Sequence, residues 1–245
     1  MALLDVRRAR PDRLVRAGVR RVLLSTTSVR TDSPLVALTF DDGPDPRLTP
    51  DVLDVLRDRG GRATFLMVAE RVRQHPALAR RVIAEGHEVG LHGDEHVEML
   101  DESIRRQYRS LRRGRRDVEQ LLDVRVKWFR APFGKQEPET VLACRLAGMR
   151  PLMWSTSAHD WQPDSIEDQM THVAGGLKPG AIVVLHDGSA RIAEPPPPPP
   201  KNQPELLDRL LDLLRERTLR PVTMSELCAS GPVVRGPWFE QWLHH

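Results

Sequence analysis

Aromatic residues are scarce in this 245-residue chain, 4% of the composition with a single tyrosine. A surface that stacks on nucleobases needs more, and a net charge of +3 adds little attraction for phosphate, so nucleic acid is not an expected partner. Cysteine is scarcer still. Cys144 and Cys228 stand alone among apolar residues, without the spacing of a metal site or of a disulfide framework. No run approaches the roughly 20 apolar residues that cross a bilayer. Arginines also interrupt every N-terminal window that could hold the apolar core of a secretory leader, so the expected location is the cytoplasm. The Gly-x-Gly-x-x-Gly fingerprint of dinucleotide folds is missing too.

What is present is an ordinary globular composition, 40% hydrophobic and 29% charged, on a chain long enough for a full core. From Leu35 onward, apolar strand-like runs alternate with helical patterns. The runs are Leu35–Phe40, Ala63–Val68, Glu88–Leu91, Val126–Phe129, Pro151–Trp154, Ala181–Leu185 and Pro221–Thr223. Between them the 3.6-residue period predicts helices over Pro50–Arg59, Pro76–Glu85, Ser103–Leu122, Glu139–Ala147, Ile166–Gly175 and Pro204–Arg217. Such alternation implies βαβ units around a parallel sheet, an α/β fold of the distorted-barrel kind. Residues 1–34 read as a helical extension, 35–227 as the barrel and 228–245 as an irregular tail. In the extension, Asp12–Leu24 predicts a basic amphipathic helix that packs on the domain or rests peripherally on an anionic membrane. The arginine-rich helix from Ser103 reads as a solvated face. The six prolines Pro195–Pro200 read as a stiff extended loop rather than a docking segment.

The chemistry gathers where the strands end. Leu35–Phe40 runs straight into Asp41-Asp42-Gly43-Pro44, two carboxylates on a forced turn. Adjacent like charges need a cation or a shared proton to coexist. His92 and His96 follow the third strand four residues apart, a spacing that aims two imidazoles at one point. With Asp42 they make an Asp-His-His set, three ligands that leave positions open for water and substrate. Arg130-Ala131-Pro132-Phe133-Gly134 ends the fourth strand, and Asp41 is the natural partner for its arginine. His159-Asp160-Trp161 ends the fifth and Leu185-His186-Asp187 the sixth. Barrel enzymes keep their chemistry on this face.

In this order, Thr39-Phe40-Asp41-Asp42-Gly43, His92-x-x-x-His96, Arg130-x-Pro132-x-Gly134, Asp160-Trp161 and Leu185-His186-Asp187 resemble the NodB-homology polysaccharide deacetylases, carbohydrate esterase family 4. The resemblance covers about residues 35–225 and implies a distorted (β/α)7 barrel. It also implies one divalent metal on Asp42, His92 and His96, usually Zn2+, with Co2+, Ni2+ or Mn2+ as alternatives. Asp41 would be the general base and Arg130 would orient it. His186 would be the general acid, with Asp160 beside both Arg130 and His186 to tune them. The Phe133 N–H would hold the oxyanion, and Trp161 with Leu185 would wall the acyl methyl pocket. Two positions depart from the family pattern. Gly93 stands where Ser or Thr usually follows the first histidine, which implies a looser loop, and Ser157 stands where an Asp usually lies.

The implied activity is removal of an N-acyl group, acetyl above all, from an N-acetylated sugar that is free, carrier-linked or polymeric. Two alternatives keep the same sequence features. One is an amidase or deformylase acting on a non-polysaccharide substrate, the other an inactive carbohydrate-binding relative.

Overall fold

The computed structural model describes residues 23–189 and 202–238. The basic helix expected over Asp12–Leu24, except its last two residues, lies outside them, as do the proline run Pro195–Pro200 and the last seven residues.

Ten strands are formed among the described residues: β1 (Ser25–Val29), β2 (Leu35–Asp41), β3 (Thr64–Met67), β4 (Glu88–Leu91), β5 (Trp128–Phe129), β6 (Arg150–Pro151), β7 (Thr156–Ser157), β8 (Ile182–His186), β9 (Arg220–Val222) and β10 (Val233–Gly236). The helices are α1 (Thr49–Arg59), α2 (Ala69–Gln74), α3 (Pro76–Ala84), α4 (Ile104–Leu122), α5 (Pro138–Leu146), α6 (Ile166–Gly176), α7 (Gln203–Glu216) and α8 (Met224–Ala229). The main sheet is parallel and runs β6-β5-β4-β3-β2-β8-β7, with β9 paired to the first half of β2 and β3 to its second half. β2, β3 and β8 are buried almost throughout, as expected of parallel strands covered on both faces.

Side chains on the central strands divide by parity. Val36, Leu38 and Phe40 join Phe65, Met67, Val183 and Leu185 in the large core shared with the helices. Ala37, Leu66, Trp128, Leu152, Ile182 and Val222 form the smaller core inside the curl, joined by Met224 and Leu227 of α8. Continued along the strands, the inner parity reaches Thr39, Asp41, Arg130 and His186. The alternation that fills the barrel interior therefore also aims the polar residues at its mouth.

Three expectations need correction. The run expected as one strand at Pro151–Trp154 is divided: β6 lies at one edge of the sheet and β7 at the other. The residues between them bridge the gap, the Leu152 N–H donating to the Phe129 carbonyl and the Ser155 N–H to that of Ile182. One segment thus serves both edges of an incompletely closed barrel. The N-terminal flank is not purely helical and the C-terminal flank is not irregular. β1 pairs antiparallel with β10, Val29 belongs to the inner cluster and the partly buried Val233 packs against it. No helix among the described residues is long and apolar enough to cross a membrane, and Cys144 and Cys228 are both free thiols.

Candidate active site

Asp41 ends β2 and Asp42 follows it, and strand alternation alone would send them to opposite faces. Asp42 departs from it with φ +76°, a left-handed conformation that turns its carboxylate back over the barrel mouth. The turn is held from both sides. Arg71 Nη1 donates to the Asp42 carbonyl at 2.8 Å, and the Gly43 N–H donates to Asp187 Oδ1 at 3.2 Å.

Asp42, His92 and His96 are all buried, and one potential ligand atom from each lies within 4.8 Å of the others. Asp42 Oδ1 is 3.0 Å from His96 Nε2 and 3.3 Å from His92 Nε2, yet it has no hydrogen bond of sound geometry. A buried carboxylate oxygen without a hydrogen bond is costly unless something else meets its charge. The His92 ring is turned so that Nδ1 lies 3.0 Å from the Arg130 carbonyl, a contact that needs its proton and leaves the Nε2 lone pair for a cation. Burial opposes ionisation of Asp42, but the two close imidazoles and the charge of His186 outweigh it and hold the carboxyl well below its usual range. The donor chemistry fits a divalent metal.

Beside these donors lies a closed ion pair. Arg130 is fully buried, and its Nη1 donates to Asp41 Oδ1 at 2.7 Å and to Thr39 Oγ1 at 3.0 Å. Its Nη2 donates to the Met153 carbonyl at 3.1 Å, and the Trp154 ring lies 5.5 Å from the guanidinium carbon. Burial pulls the Arg130 pKa down while Asp41 pulls it up; a guanidinium titrates too high to lose its charge here.

The parallel register of β2 and β8 sets Asp41 directly against His186. His186 Nδ1 lies 2.8 Å from Asp160 Oδ1, and the His186 N–H donates to Asp160 Oδ2 at 2.8 Å. Gln203 Nε2 also donates to that oxygen, at 2.6 Å. Burial would lower the His186 pKa, but the Asp160 charge and hydrogen bond, helped by Asp42 and Asp41, raise it to about 10. Asp160 was expected beside Arg130 as well. It bonds instead to His186 and Gln203, because the guanidinium donors go to Asp41, Thr39 and Met153.

Around the opening, Phe133 takes φ +61° in a 3-10 turn at Pro132–Gly134, with its ring edge-on to His96 at 4.4 Å. Trp161 is half exposed and edge-on to His186 at 5.3 Å. Leu185 is not at the mouth. It belongs to the helix-facing core with Phe40 and Val183, and Val184 is the β8 neighbour with the parity of His186. The expectation of a looser loop at Gly93 also fails. Gly93 has φ +92°, and a Cβ there would stand 2.7 Å from the Glu95 carbonyl oxygen. The Ala69 and Glu70 N–H groups at the start of α2 donate to the Gly93 and Asp94 carbonyls, and Asp94 pairs with Arg73 and Arg113. Glycine permits this anchored conformation rather than loosening it. Ser157, the other departure, accepts a hydrogen bond from the His159 N–H at 3.0 Å and shapes the turn before Asp160.

Sequence reasoning assigned no role to Asp187. It is fully buried, and burial, assisted by the charges of Asp42 and Asp41, pushes its pKa up to about 7 against the lowering effect of the Thr49 hydroxyl. That hydroxyl donates to Oδ2 at 2.6 Å, and the Asp187 N–H donates to the Asp41 carbonyl. Its position directly after His186 was the available signal. Nothing in the sequence pointed to Thr49 or Arg71 as its companions around the turn, or to Gln203 as a partner of Asp160.

A buried carboxylate paired with an arginine, a histidine paired with a carboxylate on the neighbouring strand and a three-donor cradle beside them define a hydrolase with its chemistry at the strand mouths. The model of the polysaccharide deacetylase family matches residues 28–152, and the chain belongs to that family. It is 33% identical over 204 residues to a peptidoglycan-N-acetylglucosamine deacetylase of Bacillus cereus, covering 82% of this chain and 92% of that protein. It is 35% identical to a chitooligosaccharide deacetylase of Sinorhizobium fredii, covering 76% and 88%. Among solved structures, a family 4 acetyl xylan esterase from Clostridium thermocellum in complex with a cobalt ion is similar, with a TM-score of 0.70 and 32% identity. That match covers 80% of this chain and 90% of the other.

Proposed function

We propose that this chain is a metal-dependent hydrolase that removes the acetyl group from N-acetylated glucosamine units of a saccharide. The observation that carries the reading is the register of β2 and β8, which sets the Arg130–Asp41 and Asp160–His186 pairs side by side next to Asp42, His92 and His96. Asp42, His92 and His96 would hold one divalent ion, Zn2+ by preference for one carboxylate and two imidazoles, with Co2+, Ni2+ or Mn2+ able to take its place. Once bound, such an ion lowers the pKa of water and polarises the amide carbonyl.

The remaining work falls to the protein. Asp41, fixed in place by Arg130, takes the proton of the attacking water. His186, kept protonated by Asp160, gives a proton to the leaving nitrogen, without which an amine is a poor leaving group. The Phe133 N–H supplies a donor to the developing oxyanion. Trp161 walls the acyl pocket beside His186. The two deacetylase relatives support the sugar amide as the bond cleaved.

The test is identification of the acid released by the metal-reconstituted protein from N-acetylglucosamine oligomers, peptidoglycan and acetylated xylan. Acetate from an N-acetylated glycan, abolished by chelation and restored by Zn2+, is the expected result. Formate, or turnover confined to a non-sugar amide, would transfer the chain to the amidase reading. Saccharide binding without turnover under any divalent metal would leave a binding protein.

A further inference from the structure

Segment 152–155, which spans the gap between β6 and β7, carries two of the groups that hold Arg130. The Met153 carbonyl accepts from Nη2 at 3.1 Å, and the guanidinium carbon lies 5.5 Å over the Trp154 ring. A guanidinium that close to an indole is attracted to its π face. The segment is itself backed by the two flanks of the fold. The Met153 N–H donates to the Thr26 carbonyl of β1 at 2.8 Å, and Leu152 forms a parallel bridge with Thr26. β10 pairs with β1 and ends just before Trp238, whose ring lies 4.9 Å from that of Trp154. Ring pairs at this distance attract beyond the area they bury.

Trp154 also meets the other half of the site. A Cβ on Gly134 would stand 2.5 Å from Trp154 Cη2, so the indole lies flush against the turn that presents the Phe133 N–H. Just after that turn, Gln136 is buried, and its Nε2 donates to Ser25 Oγ of β1 and to the Trp238 carbonyl, each at 2.8 Å. One indole therefore braces both the guanidinium that fixes Asp41 and the turn of the oxyanion donor, and Trp238 packs on that indole. A loosened Trp154 would admit water to the Arg130–Asp41 pair and weaken the attraction between its charges. The metal donors are held by other groups: Asp42 through Arg71 and Asp187, and the His92–His96 loop through the start of α2.

We propose that Trp238 is a positioning residue for the acid–base site, seated by the β1–β10 ribbon and acting through Trp154 on Arg130 and the Phe133–Gly134 turn. Its effect on turnover rests on the deacetylase reading. The paired flanks of the chain then belong to the working frame of the site and not only to the packing of the barrel.

The test uses the full chain with Trp238→Ala, Trp238→Phe and Val82→Ala, the last a destabilising control in the helix-facing core. Trp238 is only partly buried, so its alanine variant is expected to fold. At a temperature where all three are folded, Trp238→Ala should lower kcat on N-acetylglucosamine oligomers about tenfold, the scale of a sub-ångström misplacement. KM and Zn2+ affinity should stay within about twofold, since the loss falls on the transition state alone. Trp238→Phe keeps a ring against Trp154 and should recover most of kcat. A second readout is independent of activity. The Arg130 guanidinium protons, assigned by NMR through their contacts with the Trp154 ring, should exchange with solvent about tenfold faster in Trp238→Ala and at an unchanged rate in Val82→Ala. Equal loss of kcat in Val82→Ala and Trp238→Ala, or no recovery with phenylalanine, would overturn the proposal and leave Trp238 a packing residue. So would unchanged exchange in Trp238→Ala. Faster exchange in a chain that turns over no acetylated glycan would keep the positioning role and remove the deacetylase reading instead.

Discussion

Two acid–base pairs face each other across β2 and β8, and they are of nearly equal length, 2.7 Å for Arg130–Asp41 and 2.8 Å for His186–Asp160. Their partners differ in kind. The guanidinium of Arg130 is wholly buried and bonded to Asp41, Thr39 and Met153, and it carries its charge at every working pH. His186 is 18% exposed at its side chain and bonds Asp160 through one ring nitrogen only, leaving Nε2 for the opening. A permanent, immobile cation suits a carboxylate that must stay ionised. A titratable cation at the rim suits a group that must release a proton and recover it. The same motif of strand-end ion pair therefore serves two purposes through the choice of base and through depth.

The comparison breaks most completely if the donor set beside both pairs is removed. Asp42→Ala should weaken metal binding by more than about 100-fold and abolish turnover, since loss of even an outer partner of a ligand costs 10–100-fold. Equilibrium dialysis against Zn2+ checks it. Tight binding retained in this variant would sink the assignment of the Asp-His-His site. Next in size is Asp41→Asn, expected to keep the metal and lose about 10²–10⁴ in kcat, the usual worth of a positioned base. Arg130→Ala tests the same pair from the other side. It leaves Asp41 as an unpaired buried charge and should cost about 3–5 kcal/mol of stability, read by denaturant titration. The equivalent change at the rim, His186→Ala, should lower kcat with a smaller loss of stability, because Asp160 keeps the donors of the residue-186 N–H and Gln203. If the two variants are equally destabilised, depth does not distinguish the pairs.

The rim pair can be sharpened by pH. His186 has its folded-state pKa raised to about 10, against an ordinary value near 6.5. The stability it contributes is complete below about 6.5 and is lost as pH rises towards 10. Activity that needs protonated His186 holds through most of that range and fails only as pH approaches about 10, the folded-state value. Asp160→Asn removes the largest cause of the raised pKa, so the alkaline limb of the kcat profile should move down towards 6.5. An unmoved limb would mean that another group sets it.

Much of this arrangement is legible in the sequence because strand parity and motif position agree. Thr39 and Asp41 share parity with Ala37, and Arg130 shares it with Trp128, so a correct strand assignment already points these polar groups into the barrel. Leu185 misled the motif-based expectation for the same reason, since it neighbours His186 in sequence and must face the other way on a strand. What stayed hidden depends on backbone conformation or on distant partners. The φ of +76° at Asp42 breaks the parity that would have turned it outward. Asp187 gains its place through Thr49 and Gly43, 138 and 144 residues away in the chain. The pairing of β1 with β10 joins the two ends of the described fold, a contact that local periodicity cannot signal.

The smallest effect concerns the loop between the metal histidines and separates two physical accounts of Gly93. If a hydroxyl at this position chiefly braces the loop, Gly93→Ser should stabilise the protein and tighten metal binding. The geometry gives the opposite sign. At φ +92° any side chain is strained, and its Cβ would approach the Glu95 carbonyl oxygen to 2.7 Å. That contact is with backbone, in a loop tied by the Gly93 and Asp94 carbonyls to the start of α2, so little can yield without moving His92 or His96. Gly93→Ser should therefore lose about 1–2 kcal/mol of stability and less than about tenfold in metal affinity. Gly93→Ala carries the same Cβ without the hydroxyl and should behave alike. A serine variant markedly more stable than the alanine variant would show that the hydroxyl recovers a bond the glycine loop forgoes, and that the loop can be reshaped to accept it.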